Sequence, residues 1–319
     1  MSQSNGRFIV GTGRCGSTIL SKMVNLHPDV AVFNEFLIAM DFHKKWGERS
    51  VSGAEMAGII DCGLQGGSGP FKKIVAHLAT PEVSFEGGAT ALPKHADAYR
   101  DNVFPDMLLL PLPHLFDKPE EAFADLLSFV KQQPLQMLSR HYTDIFEYLT
   151  QKAGKKIWIE RSGGSIAWMP EMVELFPNAK YLHLHRNPLD VALSMQRHNH
   201  FRVRAFKYFD LKTKDGIRWS GLDETDLNNT LPTSPRLKSV MDHPVPLEYF
   251  LEDVNEGILR GMKEVKKLAP SQYAEISFEE IMADPKAALR SLAEFFDLSA
   301  DTTWLAEAAA LLKSGEAAN

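Results

Sequence analysis

The strongest constraint on this chain is the stretch Phe8 to Leu20, FIVGTGRCGSTIL. Three apolar residues, Phe8-Ile9-Val10, run into a glycine-rich turn from Gly11 to Gly16. Ser17 and Thr18 follow, and then an apolar-periodic run through Ile19, Leu20, Met23 and Val24. This order predicts a buried strand, a tight loop and a helix. A loop feeding a helix N-terminus presents free backbone N–H groups and the positive end of the helix dipole, so it favours a phosphate-like anion. Arg14 adds a planar cation that forks onto such an anion. The expectation is an anion cradle at the edge of a parallel sheet.

Three ligands fit that cradle. Gly11-x-x-x-x-Gly16 satisfies the first part of a nucleoside triphosphate loop, but Ser17 stands where that motif needs lysine, so triphosphate hydrolysis is disfavoured. Gly11-x-Gly13-x-x-Gly16 also fits the dinucleotide fingerprint, with Glu35 about where the ribose-binding acid belongs. An NAD(P)-dependent oxidoreductase is therefore the rival reading. The third ligand is a phosphosulfate.

A chain of 319 residues needs no covalent staples, since a polypeptide of about this size buries roughly 75% of its unfolded surface. We expect one α/β domain over residues 1–319, a P-loop-like parallel sheet flanked by helices, with helical insertions at about 36–150 and 198–268. The net charge is −6 with acids and bases interspersed, which argues against nucleic acid as a partner. Cys15 and Cys62 are the only cysteines, which excludes a disulfide framework and suits a reducing compartment. The start, Met1 to Arg7, is short and polar, and no later stretch approaches 18 apolar residues. A cytoplasmic location without a membrane span follows as the expectation. No cluster with metal-ligand spacing is visible.

Along the chain, the first helix is expected over Ser17 to Leu26, stopped by His27-Pro28-Asp29 because proline disfavours helical geometry in the residue before it. Val30 to Phe33 reads as the second strand, with Asn34-Glu35 at its end. Ligands bind outside the carboxyl ends of strands in open α/β sheets, so Glu35 and Arg14 are expected to face one crevice. Gly63 to Pro70 reads as a connector. Helices are expected over Glu120–Val130, Leu135–Leu149, Ile166–Phe176, Leu189–Arg197, Asp253–Leu268, Ala287–Phe296 and Thr303–Leu312. Lys156 to Glu160 reads as a strand, followed by Arg161, which belongs either to the site or to solvent. The strand Tyr181 to His185 ends on Arg186, and Asn187-Pro188 opens the next helix, with proline in its first turn. Ser194 lies about two turns into that helix, so Arg186 and Ser194 together clamp a second phosphate. His183 and His185 share a strand face and read as structural; His27 and His43 are secondary candidates for a base. Phe201 to Phe209, mixing aromatics and cations, reads either as an acceptor-pocket lining or lid, or as a partly buried helix.

These residues resemble the sulfotransferases that use 3′-phosphoadenosine 5′-phosphosulfate (PAPS). Gly13-Arg14-Cys15-Gly16-Ser17-Thr18 is similar to the family's 5′-phosphosulfate loop, and Arg186…Ser194 within HRNPLDVALS is similar to its 3′-phosphate motif. The run from Met23 to Glu35 is similar to the tyrosylprotein and bacterial branches, and Ile276 to Asp284-Pro285 to the C-terminal strand-then-helix signature. The resemblance implies PAPS as co-substrate and adenosine 3′,5′-bisphosphate as product. It implies Glu35 as the base and Arg14 at the developing charge. Gly13, Arg14, Cys15, Gly16, Ser17, Thr18, Arg186 and Ser194 are implied as the cofactor-binding set, with no metal. The chain departs from the family at Cys15, where serine is usual, at Arg161-Ser162-Gly163, where Lys-Thr-Pro is frequent, and at Phe278, where tyrosine is usual. The acceptor is a hydroxyl on a small molecule, lipid, glycan or carrier.

Overall fold

The computed structural model describes residues 6–40, 47–61, 105–223, 226 and 234–312. His43, Cys62 and the Gly63 to Pro70 segment lie outside the described residues. Seven strands occur among those described: β1 (Arg7–Val10), β2 (Val30–Asn34), β3 (Ser50–Val51), β4 (Gln136–Met137), β5 (Ile157–Arg161), β6 (Lys180–His185) and β7 (Tyr273–Ser277). β3 and β4 form a small antiparallel ribbon. The other five form one parallel sheet in the order β2-β5-β1-β6-β7. The chain is thus an α/β protein built on a parallel sheet flanked by helices.

Parallel strands covered on both faces read as continuous apolar runs. VAVFN in β2 is buried throughout, and the last three residues of RFIV in β1 are buried. Alternation sends Phe8, Phe33, Trp158 and Tyr181 to one face and Ile9, Val32, Ile159 and Leu182 to the other. The first face is aromatic: Phe8 stacks on Tyr181 at 5.5 Å and meets Trp158 edge-on at 5.6 Å, while Phe146 stacks on Trp158 at 4.4 Å. The helices Phe36–Ala39, Pro119–Lys131 and Leu138–Lys152 cover that face. Ser17–Asn25, Pro188–Arg197, Pro285–Phe296 and Thr302–Ala310 cover the other.

Three expected helices move, each for a local reason. The helix expected over Ile166–Phe176 is a 3₁₀ turn, Ser165–Trp168, followed by an α-helix, Met169–Leu175. Pro170 lacks the donor an interior residue needs and sits instead in the first turn of the second segment. The helix expected from Leu135 begins at Leu138, because Gln136 and Met137 pair with β3. The helix expected from Asp253 begins at Leu247, directly after Pro246.

The strand order also corrects the dinucleotide alternative. That fold places its second strand beside the first, so the acid ending the second strand reaches a ribose bound at the first. Here β5 lies between β1 and β2. The strand that Glu35 follows, β2, is therefore two positions from β1, with the β5 carboxyl end between them.

Candidate active site

The sheet order reverses direction at β1, whose neighbours are β5 on one side and β6 on the other. Such a switch point opens a crevice at the carboxyl ends of the strands. Register aligns Asn34 with Arg161, and Arg161 with Ile9, so β2, β5 and β1 end at one level. Each then delivers a turn: Gly11 to Gly16 after β1, Glu35 after β2, Ser162 to Gly164 after β5. Arg186 follows β6 in the same way.

The first turn uses left-handed backbone at Gly13 (φ 76°), Arg14 (φ 56°) and Gly16 (φ 90°). Gly16 is the N-cap of the Ser17–Asn25 helix, and no side chain caps it. The N-cap residue therefore meets none of the first-turn N–H groups, while the Cys15 sulfur lies close to the Ser17 N–H. Ser17 and Thr18 are inside the helix rather than at its cap. A Cβ on Gly16 would fall 2.1 Å from the Phe278 ring, so glycine is demanded here by space as well as by φ. The Cys15 side chain turns away from the crevice into the core; it is fully buried, and a Cβ on Gly11 would fall 2.7 Å from its Sγ. Burial pushes the Cys15 thiol up. What Cys15 offers to the crevice is backbone.

Arg14 and the Arg186–Ser194 motif meet. Arg14 Nε donates to Ser194 Oγ at 3.0 Å. Burial lowers the Arg14 guanidinium below its ordinary value, and the neighbouring positive charge of Arg186 lowers it further. Arg186 lies over the Phe278 ring at 4.9 Å and pairs with no carboxylate among the described residues. Two guanidinium groups held in each other's field favour an anion between them. Phe278, bearing on both Gly16 and Arg186, joins the loop to the second motif through an aromatic face. Asn187 caps the Pro188–Arg197 helix by accepting from Leu189 N at 2.9 Å.

Glu35 is held in left-handed backbone (φ 55°), unusual for a side chain of its size. Its N–H donates to Arg161 O at 2.7 Å, and its carbonyl accepts from Ala39 N at 2.9 Å. Its carboxylate pairs with Arg161 Nη1 and accepts from Gly163 N at 2.8 Å. A Cβ on Gly163 would lie 3.4 Å from Glu35 Oε1 and 3.8 Å from Gly13 Cα, so this carboxylate borders the glycine loop.

Arg161, left undecided by the sequence, is buried and pairs with the candidate base Glu35. Its guanidinium donates to Ser21 Oγ and Asn34 Oδ1, each at 3.0 Å, besides pairing with Glu35. Strand alternation was the available signal: Ile157, Ile159 and Arg161 share the face that packs on the first helix. Ser21, Asn34 and Gly163 carried no signal, since their roles arise only when a helix, a strand end and a turn from separate parts of the chain meet. Phe201 of the helix Asn199–Tyr208 also reaches the loop, within 3.4 Å of a Cβ placed on Gly13.

His27 and His183 are held in structural contacts. His27 is buried against Ser299, with Nε2 3.0 Å from its carbonyl, and Nδ1 accepts from Asp29 N at 3.1 Å. His183 Nδ1 lies 3.0 Å from the Tyr273 hydroxyl. No group of three or more potential metal ligands occurs among the described residues, and no described helix is long and apolar enough to cross a membrane.

The chain matches the sulfotransferase family over residues 7–222 and the sulfotransferase domain over residues 164–313. An uncharacterized protein from Aquifex aeolicus (strain VF5) is 22% identical over 241 residues, which cover 74% of this chain and 27% of that protein. The chain thus spans about a quarter of that relative's length. Among solved structures, the sulfotransferase domain from the curacin biosynthetic pathway is 15% identical, with a TM-score of 0.46, covering 95% of this chain and 77% of its own. Sulfotransferase STF9 from Mycobacterium avium is 12% identical with a TM-score of 0.47, covering 98% of this chain and 69% of its own.

Proposed function

Because the chain belongs to the sulfotransferase family, we propose that it moves the sulfonate group of PAPS to an acceptor hydroxyl, with Glu35 as general base. The observation that carries this reading is the convergence of the Glu35 carboxylate, the glycine loop and the Arg14–Ser194–Arg186 group at neighbouring strand ends. Bound PAPS supplies the sulfonate and a leaving 5′-phosphate.

The chain's own residues divide the remaining work. The N–H groups from Gly13 to Thr18, including those of Cys15, Gly16 and Ser17, hold the 5′-phosphosulfate at the helix N-terminus. Arg186 and Ser194 hold the 3′-phosphate, remote from sulfur, and so supply affinity and position. Arg14 stabilises charge growing on the bridging oxygen, a contribution worth about 10²–10³ in turnover. Glu35 takes the acceptor's proton as the hydroxyl attacks, worth roughly 10²–10⁴. Arg161 and Gly163 N–H hold the carboxylate in place. The segments at about 36–150 and 198–268, inserted into one domain, form the acceptor side, and the acceptor is a small-molecule, lipid, glycan or carrier-bound hydroxyl.

The test pairs binding with transfer. Adenosine 3′,5′-bisphosphate should raise the melting temperature of wild type and of Glu35→Gln alike, whereas NAD(P) should raise neither. Transfer of labelled sulfonate to a panel of hydroxyl acceptors should fall about 10²–10⁴-fold in Glu35→Gln. No bisphosphate shift at millimolar concentration, or undiminished transfer by Glu35→Gln, overturns the reading.

A further inference from the structure

One buried acid next to this site has no part in the reaction just described. Glu160 ends β5 immediately before Arg161 and is fully buried. Its Oε1 accepts from Leu37 N at 3.2 Å and from the Ser162 hydroxyl. Its Oε2 has no hydrogen-bond partner among the described residues.

Those two contacts lie on the two turns that fasten Glu35. Leu37 is in the first turn of the short helix Phe36–Ala39, whose N-cap residue is Glu35 itself. An N-cap residue ordinarily turns its side chain back onto the N–H groups of that turn. Glu35 makes no such bond, because its carboxylate points to Arg161 and Gly163 N–H instead. Glu160 meets the Leu37 N–H from the neighbouring strand. Through Ser162 it also grips the turn that carries Gly163, the residue whose N–H holds Glu35 Oε2. One side chain thus ties together both turns, and the left-handed backbone of Glu35 lies between them.

We propose that Glu160 is a positioning residue for Glu35: it caps the Phe36–Ala39 helix in place of the Glu35 side chain and so leaves the Glu35 carboxylate aimed at the crevice. This rests on the reading of Glu35 as the base. Glu160 performs the task in its neutral form. A second negative charge beside Glu35, with one oxygen buried and unpartnered, is the costly alternative. Burial moves the Glu160 carboxyl up to about 8, outweighing the hydrogen bonds from Ser162 and Leu37 N–H, which favour the charged form; the nearby Glu35 charge adds to the rise, and Arg161 opposes it. The other elements around Glu160 present mainly apolar groups. Phe8 of β1 and Phe33 of β2 stand opposite it in register, and the Phe36–Ala39 helix has the sequence FLIA. The helix Leu138–Lys152 meets β5 through Phe146 on Trp158. Asp106 lies on the Asp106–Leu109 helix packed against Phe36–Ala39, and His114 on the Leu112–His114 turn packed against β2. Loss of the Glu160 proton near pH 8 places a charge between the two turns and should disturb Glu35.

The test needs no acceptor. The full chain is labelled with ¹³Cδ-glutamate, and the Glu35 and Glu160 resonances are assigned by their loss in Glu35→Gln and Glu160→Gln. Glu160 should titrate with a midpoint near 8. The Glu35 resonance should shift in the same pH range, and Glu160→Gln, which keeps the accepting oxygen but cannot ionise, should abolish that shift. Glu160→Leu, which removes the cap, should displace the Glu35 resonance at every pH. Should it fail to fold, the Glu160→Gln comparison still decides. Titration of Glu160 in the ordinary carboxylate range, or a Glu35 resonance indifferent to Glu160→Gln, overturns the proposal. Undiminished sulfonate transfer by Glu35→Gln overturns instead the reading on which it rests, so the two failures are distinct.

Discussion

At the scale of single residues, Arg161 is the side chain on which most of the site's order depends. Its planar fork spans a helix through Ser21, a strand through Asn34 and a turn through Glu35. A lysine, with one compact charge, cannot reach all three. Arg161→Met leaves the Glu35 carboxylate without its cation, and breaking such a buried pair costs about 3–5 kcal/mol. We expect a lower melting temperature, measured by scanning calorimetry, with Arg161→Lys falling between Arg161→Met and wild type. Cys15 makes a contrasting case. Its thiol is buried, turned from the crevice and raised above its ordinary value, and the thiolate is the reactive form. Iodoacetamide at neutral pH should therefore spare Cys15 in the native protein and modify it only after unfolding, as read by peptide mass spectrometry. Rapid native labelling would show that the side chain faces the crevice after all. Arg14, Glu35 and Arg186 were legible as candidate site residues because each combines a chemical type with a strand end. Arg161 was only half legible: alternation fixes its face, but whether it meets solvent or another chain segment depends on what packs there.

At the scale of elements, the glycine loop and the β7–helix junction are fitted to one another. Gly16 is required twice, by its left-handed φ and by the Phe278 ring against it. Gly16→Ala should abolish the bisphosphate-induced thermal shift and lower the melting temperature. Combining it with Phe278→Ala should recover part of the stability, since the ring clash disappears while the backbone strain remains. A double variant no more stable than the single one would place the whole cost in the backbone. Elsewhere, element boundaries followed local chemistry where that chemistry was strong. Proline and asparagine begin the Pro188–Arg197 helix, and Ser277 with Glu280 forms a capping box at Phe278–Ala283. The sequence misplaced an element where a local signal was passed over, as at Pro170, or where the pairing was distant, as for Gln136 and Met137 with β3.

At the scale of the whole molecule, buried titratable groups set opposing pH dependences. Burial lowers His183 to about 4 and His200 to about 3. These groups stay neutral in the folded chain, while the unfolded chain gains protons below about 6.5, so the stability they contribute is full above that pH and is lost as pH falls towards 3–4. Glu160 acts in the opposite direction. It keeps its proton up to about 8 in the folded chain, against an ordinary 4.5, so the stability it contributes is full below about 4.5 and is lost as pH rises to 8. The melting temperature should therefore decline between pH 6.5 and 8, and Glu160→Gln should flatten that limb while leaving the acid limb in place. A flat wild-type profile over that range would contradict a protonated Glu160. The sequence by itself determined that a strand, a glycine loop and a helix begin the chain, that the class is α/β, and that two basic motifs and an acid stand at strand ends, because propensity, turn chemistry and hydrophobic period act within a few residues. Only the tertiary structure decided that β5 lies between β1 and β2, that Arg161 clamps Glu35, and that Glu160 caps the helix Glu35 begins. Those facts depend on which distant strands become neighbours, and that choice is made by burying both faces of the sheet together.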